Sequence, residues 1–102
     1  MFKFVTLYRQ VEEPEAVDNF FASAHLPAAE RLPGLLKREV GRVMGKPGGA
    51  SRFYLMVELY FADQAAFQSA MRSPAGQELA AALAEWEVAG LITWFYADAF
   101  EE

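Results

Sequence analysis

The chain has 102 residues, no cysteine, a single histidine, 54% hydrophobic residues and a formal net charge of −5. That length fits one domain over residues 1–102, and the lack of cysteine excludes disulfides, thiolate nucleophiles and cysteine-based metal sites. The acidic balance argues against a nucleic-acid partner, because beyond the small group Lys37, Arg38 and Arg42 no basic cluster could neutralise phosphates.

Residues 2–9 read as a strand rather than as a signal peptide: they are rich in Phe, Val, Thr and Tyr and end at a charged turn. Glu12, Glu13, Pro14 and Glu15 then mark a helix start, since proline suits the first turn and acidic side chains suit the positive end of the helix dipole. Val17, Phe20, Phe21, Ala24 and Ala28 recur at helical spacing and carry the helix to about Arg31. Pro27 lies inside it and removes the amide that would reach the Ser23 carbonyl, so a kink or break is expected beside His25. Leu35 to Met44 reads as a second strand, with Gly41 as a possible bulge. The turn Gly45 to Ser51 is too proline-broken for a phosphate loop and reads as a hairpin connection.

Arg52 to Phe61 is a third strand. Asp63 can cap a short helix carrying Phe67, Ala70 and Met71, and Ser73-Pro74 opens another carrying Leu79, Leu83 and Trp86. Leu91 to Tyr96 is the last strand, and Glu101-Glu102 reads as a frayed end. No stretch approaches the roughly 20 apolar residues of a membrane span. A soluble cytoplasmic protein with no membrane partner is the expectation.

The order β-α-β-β-α-α-β matches the ferredoxin-like split βαβ arrangement, an α+β fold with a four-stranded antiparallel sheet and helices on one face. The third strand, Phe53 to Phe61, does not alternate apolar and polar residues, and neither does the fourth. Strands of that kind are buried on both faces. The helices cover one face only, so a second copy of the chain is the expected cover of the other, giving a homodimer through the open sheet face.

His25 is the natural candidate for proton chemistry near pH 7. The plainer reading is a half-buried side chain with a satisfied hydrogen bond. Glu58 is the only acidic residue inside the apolar run of strand three, and alternation places it on one face with Tyr54, Met56 and Tyr60. A carboxylate there needs a partner. Arg38 or Arg42 on the neighbouring strand would supply one structurally, and a polar anchor in a ligand pocket near His25 is the functional alternative. Phe21, Tyr54, Tyr60 and Trp94 could line an apolar pocket for a small organic ligand, although core packing explains most aromatics equally well. No metal site is expected, because nothing at ligand spacing accompanies the one histidine.

The stretch Phe20-Phe21-Ala22-Ser23-Ala24-His25-Leu26-Pro27, followed by Leu32-Pro33-Gly34-Leu35, resembles the signature of the EthD family, in which an aromatic, three residues and His-x-Pro precede a Pro-Gly element. Glu58-Leu59-Tyr60-Phe61-Ala62-Asp63, Phe67 and Ser73-Pro74-Ala75-Gly76 fit the same pattern. The resemblance implies a dimeric α+β barrel. It places the chain in a superfamily that includes muconolactone isomerases, cofactor-free quinone-forming monooxygenases and haem-binding enzymes. The family's namesake is associated with degradation of a fuel ether, and some fungal relatives look like decarboxylases or dehydratases. His25 and Pro27 match the family positions, while Phe21 stands where many relatives have tyrosine.

Three functions follow as expectations. The first is a cofactor-free enzyme acting on an apolar or aromatic small molecule in a degradation pathway, with His25 as acid or base and Glu58 orienting a group. The second is a non-enzymatic ligand-binding auxiliary of such a pathway. The third is haem binding through His25.

Overall fold

The structure, a computed structural model, describes residues 1–100; the frayed end expected at Glu101-Glu102 lies outside the described residues. The chain runs β1 (Phe2–Arg9), α1 (Pro14–Phe20), a π-helical turn (Phe21–His25), α2 (Leu26–Glu30), β2 (Lys37–Arg42), β3 (Phe53–Phe61), α3 (Gln64–Arg72), α4 (Pro74–Val88) and β4 (Ile92–Asp98). The sheet is antiparallel in the order β2-β3-β1-β4, which is the ferredoxin-like topology. The second and fourth strands differ from the sequence reading only at their ends.

Local chemistry fixes the helix ends. The Asp63 carboxylate accepts from the Ala66 amide at 2.8 Å, and Ser73 Oγ accepts from the Gly76 amide at 3.1 Å, so both expected caps form. Helix α4 closes in a Schellman motif, in which Leu91 N–H donates to the Trp86 carbonyl and Gly90 N–H to that of Glu87. Gly90 sits there at φ +75°, a conformation a Cβ would strain.

The break expected at Pro27 takes the form of the π-turn. Leu26 N–H donates to the Phe21 carbonyl, five residues back, instead of to that of Ala22. Widening the helix by one residue accommodates the ring and the missing amide without interrupting the chain's course. The extra residue also resets the helical phase, so that Val17 before the turn, His25 at its end, and Ala28 and Ala29 after it are all buried.

The core lies between the sheet and the helices. Phe4 and Tyr8 from β1, Leu55, Val57, Leu59 and Phe61 from β3, and Leu79 and Leu83 from α4 are buried there. From Leu55 to Phe61 burial alternates strictly, with Met56, Glu58 and Tyr60 partly covered on the other side. The opposite sheet face therefore lacks a helical cover, as the sequence pattern implies. Gly41 is not a bulge: the β2–β3 register is regular across it. The irregularity lies opposite, where Tyr8 pairs with Leu55 and Arg9 with Phe53, leaving Tyr54 as the extra residue.

Candidate functional site

His25 is wholly buried at the end of the π-turn and points at the sheet. Its Nδ1 lies 2.5 Å from the hydroxyl of Tyr8, itself wholly buried on β1. Nε2 is the one buried side-chain nitrogen or oxygen without a hydrogen-bond partner among the described residues. Phe21, partly exposed, packs edge-on against the imidazole at 5.6 Å, and Tyr8 packs edge-on against Trp86 at 5.5 Å.

These contacts assign the protons. Burial pushes the imidazole down to about 4 and pushes the phenol above its ordinary value, so both groups are neutral at pH 7. If the phenol donates to Nδ1, the imidazole proton sits on Nε2 and a single buried group is left without a partner. The reverse arrangement strands both the phenol proton and the Nε2 lone pair. The first is favoured, because each stranded buried group costs about 1–3 kcal/mol. The pair thus holds an Nε2–H donor that lacks an acceptor.

The sequence passes over Tyr8. A signal was present: Phe2, Phe4, Thr6 and Tyr8 share one face of β1, and a tyrosine on a core face needs a polar partner for its hydroxyl.

Glu58 does not join this pair. It lies on the uncovered face of β3, opposite Val5, with its carboxylate 2.7 Å from Lys3 Nζ. The hydrogen bond to Glu58 holds the Lys3 ammonium above its ordinary pKa. The sequence expectation of a partner is met in kind but not in identity. Arg38 and Arg42 stand on the other face of β2 and pair with Glu30 and Asp18. Strand alternation separates Glu58 from His25 by the thickness of the sheet, which removes it as a second group beside the imidazole.

The four aromatic candidates also disperse. Phe21 touches His25. Tyr60 is on the uncovered face, with Lys3 and Lys37 over its ring. Tyr54 departs from the face predicted for it. As the extra residue of the bulge, it reaches the helix layer, where its hydroxyl donates to Asp18 at 3.0 Å. Trp94 alone lines a sizeable cleft, of about 660 Å³, together with Phe4, Phe67, Met71, Arg72 and Tyr96 between α3 and β4. That cleft includes neither His25 nor Tyr8.

A haem does not fit these residues. The imidazole nitrogen that would bind iron is enclosed by protein, and the cleft lined by Trp94 contains no histidine or cysteine. Among the described residues no group of three potential metal ligands comes together, and no helix is long and apolar enough to cross a membrane.

Comparison with known proteins gives a consistent picture. The family model of the EthD domain matches residues 9–85. An ethyl tert-butyl ether D (EthD) family protein from Bacillus halodurans has a crystal structure that superposes with a TM-score of 0.84 at 33% identity, over 98% of this chain and 99% of that one. An uncharacterized 11.0 kDa protein from the thcB–thcC intergenic region of Rhodococcus erythropolis is 28% identical over 95 residues, 93% of this chain and 92% of the relative. At 18% identity the fold alone is shared with SnoaB, a cofactor-independent oxygenase from Streptomyces nogalater, with a TM-score of 0.67 over 99% and 94% of the two chains.

Proposed function

Because the chain belongs to the EthD family, we propose that it is a small cofactor-free enzyme acting on an apolar or aromatic organic molecule, with His25 as its proton-handling group. The observation that carries this reading is the Tyr8–His25 pair, which holds a neutral imidazole with an unpartnered Nε2–H inside the core. A natural core seldom keeps such a group without a use. The neutral imidazole suits a role in which Nε2–H polarises a carbonyl-type oxygen of the substrate and stabilises the charge that develops there. Access requires displacement of the partly exposed Phe21 ring, which lies directly against the imidazole. Tyr8 orients the ring and fixes its tautomer.

The protein works in this reading as a homodimer through the uncovered sheet face, where Phe95 is 43% exposed beside Val5, Leu7 and Met56. The family resemblance supports a place in a degradation pathway. A non-enzymatic binding role is the second reading, favoured by the separation of His25 from Glu58, which leaves no carboxylate beside the imidazole.

The test is a turnover screen of aromatic acids, ketones and lactones with the wild type, followed by His25→Gln. Loss of about 10²–10⁴-fold in kcat by a folded variant is expected for a proton-handling histidine. An unchanged kcat removes His25 from the chemistry. Recovery of a tightly bound organic molecule that is never converted would favour the binding role.

A further inference from the structure

The cleft between α3 and β4 is not needed for the Tyr8–His25 pair, yet its construction is specific. Its walls are Phe4, Phe67, Met71 and Trp94, and its rim carries Gln68 and Arg72. At about 660 Å³ it falls within the range of small-molecule clefts, roughly 300–1,000 Å³. The rings form a continuous wall: Phe4 lies 5.4 Å from Phe67 and 6.1 Å from Trp94, centroid to centroid. A flat aromatic body placed among them gains offset and edge-on ring contacts.

Arg72 supplies the polarity. Every ion pair of the described residues engages another basic group: Lys3, Arg31, Lys37, Arg38, Arg42 or the N-terminus. Arg72 has no carboxylate partner among them. Its place in the last turn of α3 complements the helix dipole, but that does not occupy the guanidinium fork. Arg9, Lys46 and Arg52 likewise make no ion pair among the described residues, but Arg72 is the basic residue that lines the aromatic cleft, in a chain of net charge −5. The fork geometry matches a carboxylate through two parallel N–H donors, and Gln68 adds an amide on the same helix, one turn earlier.

We propose that this cleft binds a flat aromatic carboxylate, with the ring system between Phe67 and Trp94 and the carboxylate on Arg72. The inference rests on the reading that the protein takes a small apolar organic molecule, and it narrows that class to an organic acid. Trp94 stands across from Thr6 in the sheet, and Tyr8 is the next residue on that face, so the cleft and the Tyr8–His25 pair share one side of β1.

The test is a nuclear magnetic resonance titration of the full chain with 2-naphthoate and, separately, with neutral 2-naphthamide. Wild type, Arg72→Gln and His25→Gln are compared. The expected result is at least tenfold tighter binding of the carboxylate, with shifts at Phe67, Met71 and the Trp94 indole. Arg72→Gln abolishes the preference and leaves the amide unaffected. Raised salt weakens the carboxylate alone, because the contact is at the surface. Equal affinity for the two probes, a preference that survives Arg72→Gln, or no binding of either probe overturns the proposal. So do shifts that map to Met56 and Tyr60 on the other sheet face. Broadening of Phe95 and Tyr96 that grows with protein concentration and ignores the carboxylate would mark the cleft as a seam between two copies, and overturns it as well. His25→Gln separates the two readings: carboxylate binding intact in that variant sustains the cleft even if no turnover is ever found. Loss of the preference with His25-dependent turnover intact overturns the cleft alone.

Discussion

The hydroxyl of Tyr8 and Nδ1 of His25 meet at 2.5 Å in the layer between sheet and helices, with no solvent on either side chain. Sixteen residues and a complete change of secondary structure separate the two positions in sequence. The hydrogen bond is what makes a buried imidazole tolerable in the core, and it is also what leaves Nε2 as the group with chemistry to offer.

The first consequence concerns pH. Folding lowers the imidazole from its ordinary value of 6.5 to about 4. The unfolded chain therefore binds the proton more readily than the native one between those values. The stabilisation is fully present above pH 6.5 and is lost progressively as pH falls toward 4. Between pH 7 and pH 5 we expect a loss of about 2 kcal/mol in unfolding free energy. Urea denaturation at the two pH values measures it. His25→Gln is expected to flatten that part of the profile, and a wild-type profile already flat there would mean that the native imidazole titrates normally.

Second, the tautomer is readable directly, because the chain has one histidine and its ring signals need no assignment. Long-range ¹⁵N correlation spectra should show the Nε2–H form at pH 7. Tyr8→Phe removes the donor to Nδ1, so the preference for that form should weaken and stability should fall by about 1–2 kcal/mol. A spectrum unchanged by Tyr8→Phe would show that the hydroxyl does not set the tautomer.

Third, Lys3 and Glu58 act as a unit on the uncovered face, with side chains 23% and 12% exposed. Removing one partner alone, as in Glu58→Leu, leaves a partly buried ammonium and should cost about 1–2 kcal/mol after allowance for the remaining solvent. The double variant Lys3→Leu, Glu58→Leu should recover most of it. Thermal melts of the two single variants and the double variant form the cycle. Additive losses would mean that the pair does not interact. Neither variant should alter the His25 ring signals, since the sheet lies between them.

Fourth, the uncovered face carries the expected contact between copies. Phe95→Lys places a charge among Val5, Leu7 and Met56 and should shift the chain toward monomer in sedimentation velocity, with its circular dichroism unchanged. A dimer that tolerates this substitution associates through another surface.

Fifth, Gly90 holds the Schellman end of α4 at positive φ. Gly90→Ala should cost about 1 kcal/mol, read by chemical denaturation. A stability equal to that of wild type would show that the chain can leave α4 by another route.

Much of the fold could be read from residue order. Asp63 and Ser73 announced their helices through side-chain caps that act within three residues. Pro27 announced a disturbance beside His25 for the same local reason, although not that it would resolve as a π-turn. The apolar run of β3, broken only by Glu58, pointed to a second sheet face in need of cover, because side chains alternate across a strand whatever the rest of the chain does. The motif around His25 and Pro27 pointed to the EthD family.

The site was much less legible. The sequence offered Glu58 either an arginine on β2 or a place in a pocket near His25, and the structure gives it Lys3 on the sheet face opposite the imidazole. Tyr54 left its predicted face because a bulge depends on the pairing of two strands, not on either strand alone. Tyr8 on a core face of β1 announced the need for a polar partner, but only the tertiary structure showed that His25, at the end of the π-turn, is that partner. The sequence by itself determined the elements, their order and the presence of a second sheet face to cover, since these follow from periodicity and caps acting over a few residues. Only the tertiary structure decided which polar groups meet. Those meetings depend on strand register and helical phase, and a single inserted residue changes both.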